Sequence, residues 1–153
     1  MGETGLEVID VDRRGRWCQV LLLEIASTED ALAGAMQMNG DREGMPFIGI
    51  ISADLGPELV DIVAALRPGL QEIICFDALT GTGTGQDLAM RLLEEGAFGQ
   101  DFVFTVPMLG AAVDYAVDAL QRPGHGGWEG RFVVVVGPEP VVARARAHLT
   151  EPA

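Results

Sequence analysis

The sequence predicts a three-layer α/β fold: a sheet of five mainly parallel strands plus an edge strand or hairpin, with helices on both faces. Three observations predict it. Short runs rich in Val, Ile and Leu alternate with longer segments of helical period, in five strand-then-helix units along the chain. Those runs lack polar alternation, as strands covered on both faces do. Finally, 153 residues with 48% apolar content suit one compact domain and are too few for two. A single domain over 1–153 is therefore expected.

Each element has its own local reason. Leu6 to Val11 is the additional run, and the turn at Arg13 to Arg16 predicts an edge strand or hairpin with Gln19 to Ile25. Thr28 to Met38 follows as a helix, with apolar positions at Ala31, Leu32, Ala35 and Met36. Ser27 or Thr28 can cap that helix, and Glu29 and Asp30 suit its positive first turn. Phe47 to Ile51 is the next strand. The helix Pro57 to Leu66 begins on a first-turn proline and groups Leu59, Ile62, Val63 and Leu66 on one face. Glu72 to Phe76 then precedes Gln86 to Glu94, and Phe102 to Val106 precedes Leu109 to Leu120. Arg131 to Val136 precedes Pro140 to Leu149. Gly40, Gly96 and Gly124 read as residues just past helix ends. Right-handed crossovers between parallel strands leave few arrangements of these units, all of them doubly wound and Rossmann-like.

Charge excludes whole classes of chemistry. Ten basic residues against 23 acidic give a net charge of −13, and all ten are arginine. Without lysine, this chain cannot supply the lysine of a Walker-type phosphate loop, a Schiff base or a carbamate. The acidic balance argues against nucleic acid or anionic membrane as partners. No apolar run approaches the roughly 18 residues of a membrane helix. Met1-Gly2-Glu3-Thr4 shows no basic-then-apolar leader. Cys18 and Cys75 sit in apolar runs without CxxC spacing and read as core residues, so no metal site is expected. With no disulfide framework, a cytoplasmic setting is expected.

In an open α/β sheet, ligands bind beyond the carboxyl ends of the strands. Ser27 and Thr28 leave the first parallel strand, Ser52 and Asp54 the second, and Asp77 and then Thr80 to Gly85 the third. Thr105 leaves the fourth, and Gly137, Pro138 and Glu139 the fifth. Hydroxyls and carboxylates of this kind suit an amine or a hydrated cation better than an anion. Thr80-Gly-Thr-Gly-Thr-Gly85 alone looks like a phosphate loop, which makes Thr80, Thr82 and Gly83 candidate ligand contacts. Its spacing is GxGxG, it follows the third strand rather than the first, and it has no lysine. Nucleophiles are scarce: the only serines are Ser27 and Ser52, neither in a G-x-S-x-G elbow. His125 stands alone in a glycine-rich loop, and His148 reads as a favourable charge near a helix end. Glu94-Glu95 reads as a solvated helix face. Trp17, Trp128 and Met108 are candidates for apolar surface where a neighbouring domain docks.

Three stretches carry a family resemblance. Leu21-Leu-Leu-Glu-Ile-Ala-Ser-Thr-Glu-Asp-Ala-Leu32 is similar to a strand-to-helix segment of the form L-L-D-x-A-H-N-P-x-A. Gly49-Ile-Ile-Ser-Ala-Asp54, with Leu59 to Leu66, resembles the strand and helix around a G-M-x-x-D-K-D segment. Phe132-Val-Val-Val-Val-Gly137, running on to Ala145-Arg146, resembles a last strand and helix of the form V-x-G-S-x-x-x-x-G-E-A-R. The family is that of the C-terminal domain of Mur-type ligases, in particular folylpolyglutamate synthase/dihydrofolate synthase.

The resemblance implies an ATP-dependent amide ligase of folate and one-carbon metabolism. In such a ligase the C-terminal domain closes over ATP and Mg2+ held by a central domain, and helps position glutamate for attack on an acyl phosphate of the folate substrate. It places Glu24, Ser27 and Thr28 on catalytic-motif positions, and Arg146 on a basic position of the last helix. Arg146 apart, this chain departs from the pattern at the cationic sites. Ser27-Thr28-Glu29 replaces His-Asn-Pro, Glu24 replaces the preceding Asp, the D-K-D lysine is missing, and small neutral residues within Ala78 to Gly83 replace an S-P-R-like run. Such cationic groups neutralise charge during acyl transfer. Three readings follow: the C-terminal domain of such a ligase, inactive in isolation and with no cofactor of its own; a degenerate binding or assembly module of the same fold; or a small nucleotide-binding α/β protein.

Overall fold

The computed structural model describes residues 5–13, 16–25, 27–41, 46–53, 59–66, 70–77, 79, 84–94, 103–121 and 132–150. Along the chain these form β1 (Gly5–Arg13), β2 (Arg16–Glu24), α1 (Thr28–Asp41), β3 (Phe47–Ser52), α2 (Leu59–Leu66) and β4 (Leu70–Phe76). They continue as α3 (Gly85–Glu94), β5 (Val103–Thr105), α4 (Leu109–Gln121), β6 (Phe132–Gly137) and α5 (Glu139–Thr150). The six strands make one sheet in the order β1-β2-β6-β3-β4-β5. β1 pairs antiparallel with β2, and the other four pairings are parallel. This is the expected parallel sheet of five with a hairpin strand at one edge.

Burial explains why the central strands are apolar without interruption. Every residue of β3 and β6 is buried, because helices cover both faces there. Leu21, Leu23, Ile51, Cys75, Val134 and Val136 face the layer made by α1, α2 and α3. Val20, Leu22, Ile50, Phe76, Val133 and Val135 face the layer made by α4 and α5. The period-2 alternation of side chains thus splits one set of strands between two cores. Phe47 and Phe132, paired in register, stack with ring centroids 5.2 Å apart.

The structure corrects three expectations. Leu32 and Met36 do not face the core; they are 50% and 75% exposed, while Ala31, Gly34, Ala35 and Met38 face inward. Both sets have helical spacing, and the smaller set wins because it lets α1 lie close on the sheet. Gly40 lies inside α1 rather than beyond its end. The fourth parallel strand, described over Val103–Thr105, ends before Val106, while Phe102 lies outside the described residues. Gly96, Gly124, Pro57, His125 and Trp128 lie outside the described residues, as does the side chain of Trp17. Among the described residues, no helix is long and apolar enough to cross a membrane.

Candidate functional site

Connections leave opposite faces of the sheet at two places. β6 runs into α5 on one face, while its neighbours β2 and β3 run into α1 and α2 on the other. β4 runs into α3 and β5 into α4, again on opposite faces. Such points open a crevice at the carboxyl ends of the strands.

At the β2–β6–β3 crevice, the Ile25 N–H donates to the Gly137 carbonyl at 3.0 Å. Pro138 turns the chain, its carbonyl accepting from Val141 and Val142 N–H to start α5. A Cβ on Gly137 would lie 2.8 Å from Val141 and 3.2 Å from Ser52 Cβ, so the bend needs glycine. Ser52 lies beneath it, fully buried, and no buried side-chain polar atom among the described residues lacks a hydrogen-bond partner. Its hydroxyl is therefore sealed among strand ends, away from the open rim. Ser27 takes the cap of α1, its Oγ accepting from Asp30 N–H at 3.3 Å. Glu24, Glu29, Asp30 and Glu139 stand exposed around the same crevice.

Arg146 points toward the edge strand. Its Nε donates to Glu7 Oε1 at 2.8 Å and its Nη2 lies 2.7 Å from the same oxygen. That hydrogen bond and the charge of Glu7 hold the guanidinium above its ordinary pKa, with smaller contributions from Glu139 and Glu24. This cation is thus engaged by the protein's own carboxylate.

The β4–β5 crevice is built differently. Asp77 Oδ1 accepts from Gly85 N–H at 2.7 Å, and Asp77 N–H donates to the Pro107 carbonyl at 3.1 Å. Val106 N–H donates to the Cys75 carbonyl at 3.0 Å, holding the end of β5 to β4. Thr84 caps α3, its Oγ1 accepting from Asp87 N–H at 3.0 Å. A Cβ on Gly85 would fall 2.6 Å from the Cys75 carbonyl oxygen, a backbone atom that cannot give way. Helix-start N–H groups are those that commonly hold a phosphate. At α3, a carboxylate holds the N–H of Gly85 and a threonine hydroxyl that of Asp87. Asp54, Thr80, Thr82 and Gly83 lie outside the described residues, as does the side chain of Thr28.

Three features went unread in the sequence. The Asp77–Gly85 clamp had a local signal, an acid leaving a strand shortly before a glycine that opens a helix. The Glu7–Arg146 pair spans 139 positions and had none. His148 lies in the last turn of α5, as read, and also places Nε2 2.9 Å from Asp114 Oδ1 of α4, with its ring against Gly110. The two cysteines are buried as read, and burial pushes the Cys75 thiol up to about 12, out of reach of nucleophilic work near neutrality. Among the described residues, no three His, Cys, Asp or Glu side chains are grouped to hold a metal ion.

No family model matches the sequence. No curated protein matches it either. Solved structures do. The folylpolyglutamate synthase of Mycobacterium tuberculosis, complexed with ADP, is similar over 99% of this chain and 33% of its own, with a TM-score of 0.77 at 19% identity. The folylpolyglutamate synthase of Thermotoga maritima is similar over 97% of this chain and 31% of its own, with a TM-score of 0.71 at 14% identity. The UDP-N-acetylmuramate–alanine ligase MurC of Thermotoga maritima is similar over 84% and 26%, with a TM-score of 0.53 at 10% identity. The chain spans about a third of the length of the folylpolyglutamate synthases it matches. Among the described residues, a six-stranded sheet with one antiparallel edge pair and five helices has the fold of the C-terminal domain of folylpolyglutamate synthases and Mur ligases.

Proposed function

We propose that the chain acts as the C-terminal domain of an ATP-dependent amide ligase of the folylpolyglutamate synthase type, and is inactive in isolation. The observation that carries this reading is the likeness to folylpolyglutamate synthase over 99% of the chain, with a TM-score of 0.77. In this reading ATP and Mg2+ belong to a neighbouring central domain, and the present chain closes over them. The described rim does not fit a phosphate: Asp77 fills the start of α3 and Glu7 takes Arg146. Cations that neutralise the acyl phosphate therefore come from the neighbouring domain.

The rim can contribute to the incoming amino acid, glutamate in this reading. Exposed carboxylates such as Glu24 can accept hydrogen bonds from its amino group, while the α1 cap at Ser27 fixes the direction of the adjoining backbone. Folate is the acyl acceptor's partner in that scheme, and a cytoplasmic setting goes with it. The test is the complete reading frame that contains this chain, purified and assayed for ADP release with folate and glutamate. Glutamate-dependent ADP release supports the ligase reading, and a folded product without it overturns that reading.

One observation favours a second reading, a binding or assembly module that performs no chemistry. The only basic residue on a family position, Arg146, is committed to Glu7. The third reading, nucleotide binding through Thr80 to Gly85, has the Asp77 carboxylate against it.

A further inference from the structure

We draw no further inference here: the strongest candidate, the outward stripe of α1 on which Leu32 and Met36 stand exposed one helical turn apart, carries nothing because nothing in the structure shows what covers it.

Discussion

The two crevices of the sheet use their acidic residues in opposite ways. Between β4 and β5, Asp77 turns inward and binds the first N–H of α3, while its own N–H reaches Pro107. One residue thereby ties the end of β4, the start of α3 and the connection from β5 to α4. Around β6, the acidic residues Glu24, Glu29, Asp30 and Glu139 stay exposed, and a serine hydroxyl serves as the cap. The first crevice uses its carboxylate to hold the fold; the second keeps its carboxylates at the exposed surface. A change at Asp77 or Gly85 should therefore be read in stability, and a change at Glu24 in what the assembled protein does.

The largest expected effect is at Gly85. Replacing it with valine drives a Cβ against the β4 backbone, and the cost should be about 3 kcal/mol or more in urea unfolding. Gly137→Ala makes the sharper contrast, because its close contacts are side-chain atoms of Val141 and Ser52 rather than a backbone carbonyl. It should cost about 1–2 kcal/mol. Equal losses at the two glycines would break the distinction between a contact with backbone and a contact with side chains.

Next comes Asp77→Ala, which leaves the Gly85 N–H without its acceptor and should cost about 1–2 kcal/mol. Asp77→Asn should recover part of that, since the amide oxygen still accepts. If both variants unfold at the wild-type urea midpoint, Asp77 is not a clamp. Ser27→Ala removes a longer and more exposed cap, and about 0.5–1 kcal/mol should be lost. The smallest effect is at the exposed carboxylate: Glu24→Gln should leave the unfolding midpoint unchanged. In an active assembled ligase it should raise KM for the amino acid more than it lowers kcat.

Much of the fold was legible because its signals are local. The alternation of Val-rich runs with helical segments places β2, β3, β4 and β6 within a few residues of their observed bounds. Those strands are buried on both faces, so composition alone marks them. α1 was harder, because Ala31–Ala35 and Leu32–Met36 have the same spacing and only the sheet decides which set it covers. Less of the site was legible. Which strand ends carry Glu24, Ser27 and Asp77 follows from order along the chain. Which of those acids turns inward does not, because that depends on how α3 approaches β4. The Glu7–Arg146 pair depends on β1 folding back beside β2 within reach of α5, a relation between the two ends of the chain.

The central claim is that this domain contributes a folded rim to a ligase while the phosphates are held elsewhere. Calorimetric titration of the isolated chain with Mg-ATP tests it most directly. The account predicts no saturable heat at millimolar nucleotide, and none with Asp77→Asn. Saturable binding by the wild-type chain would contradict it, and would return the glycine-rich segment Thr80 to Gly85 to the place of a phosphate cradle.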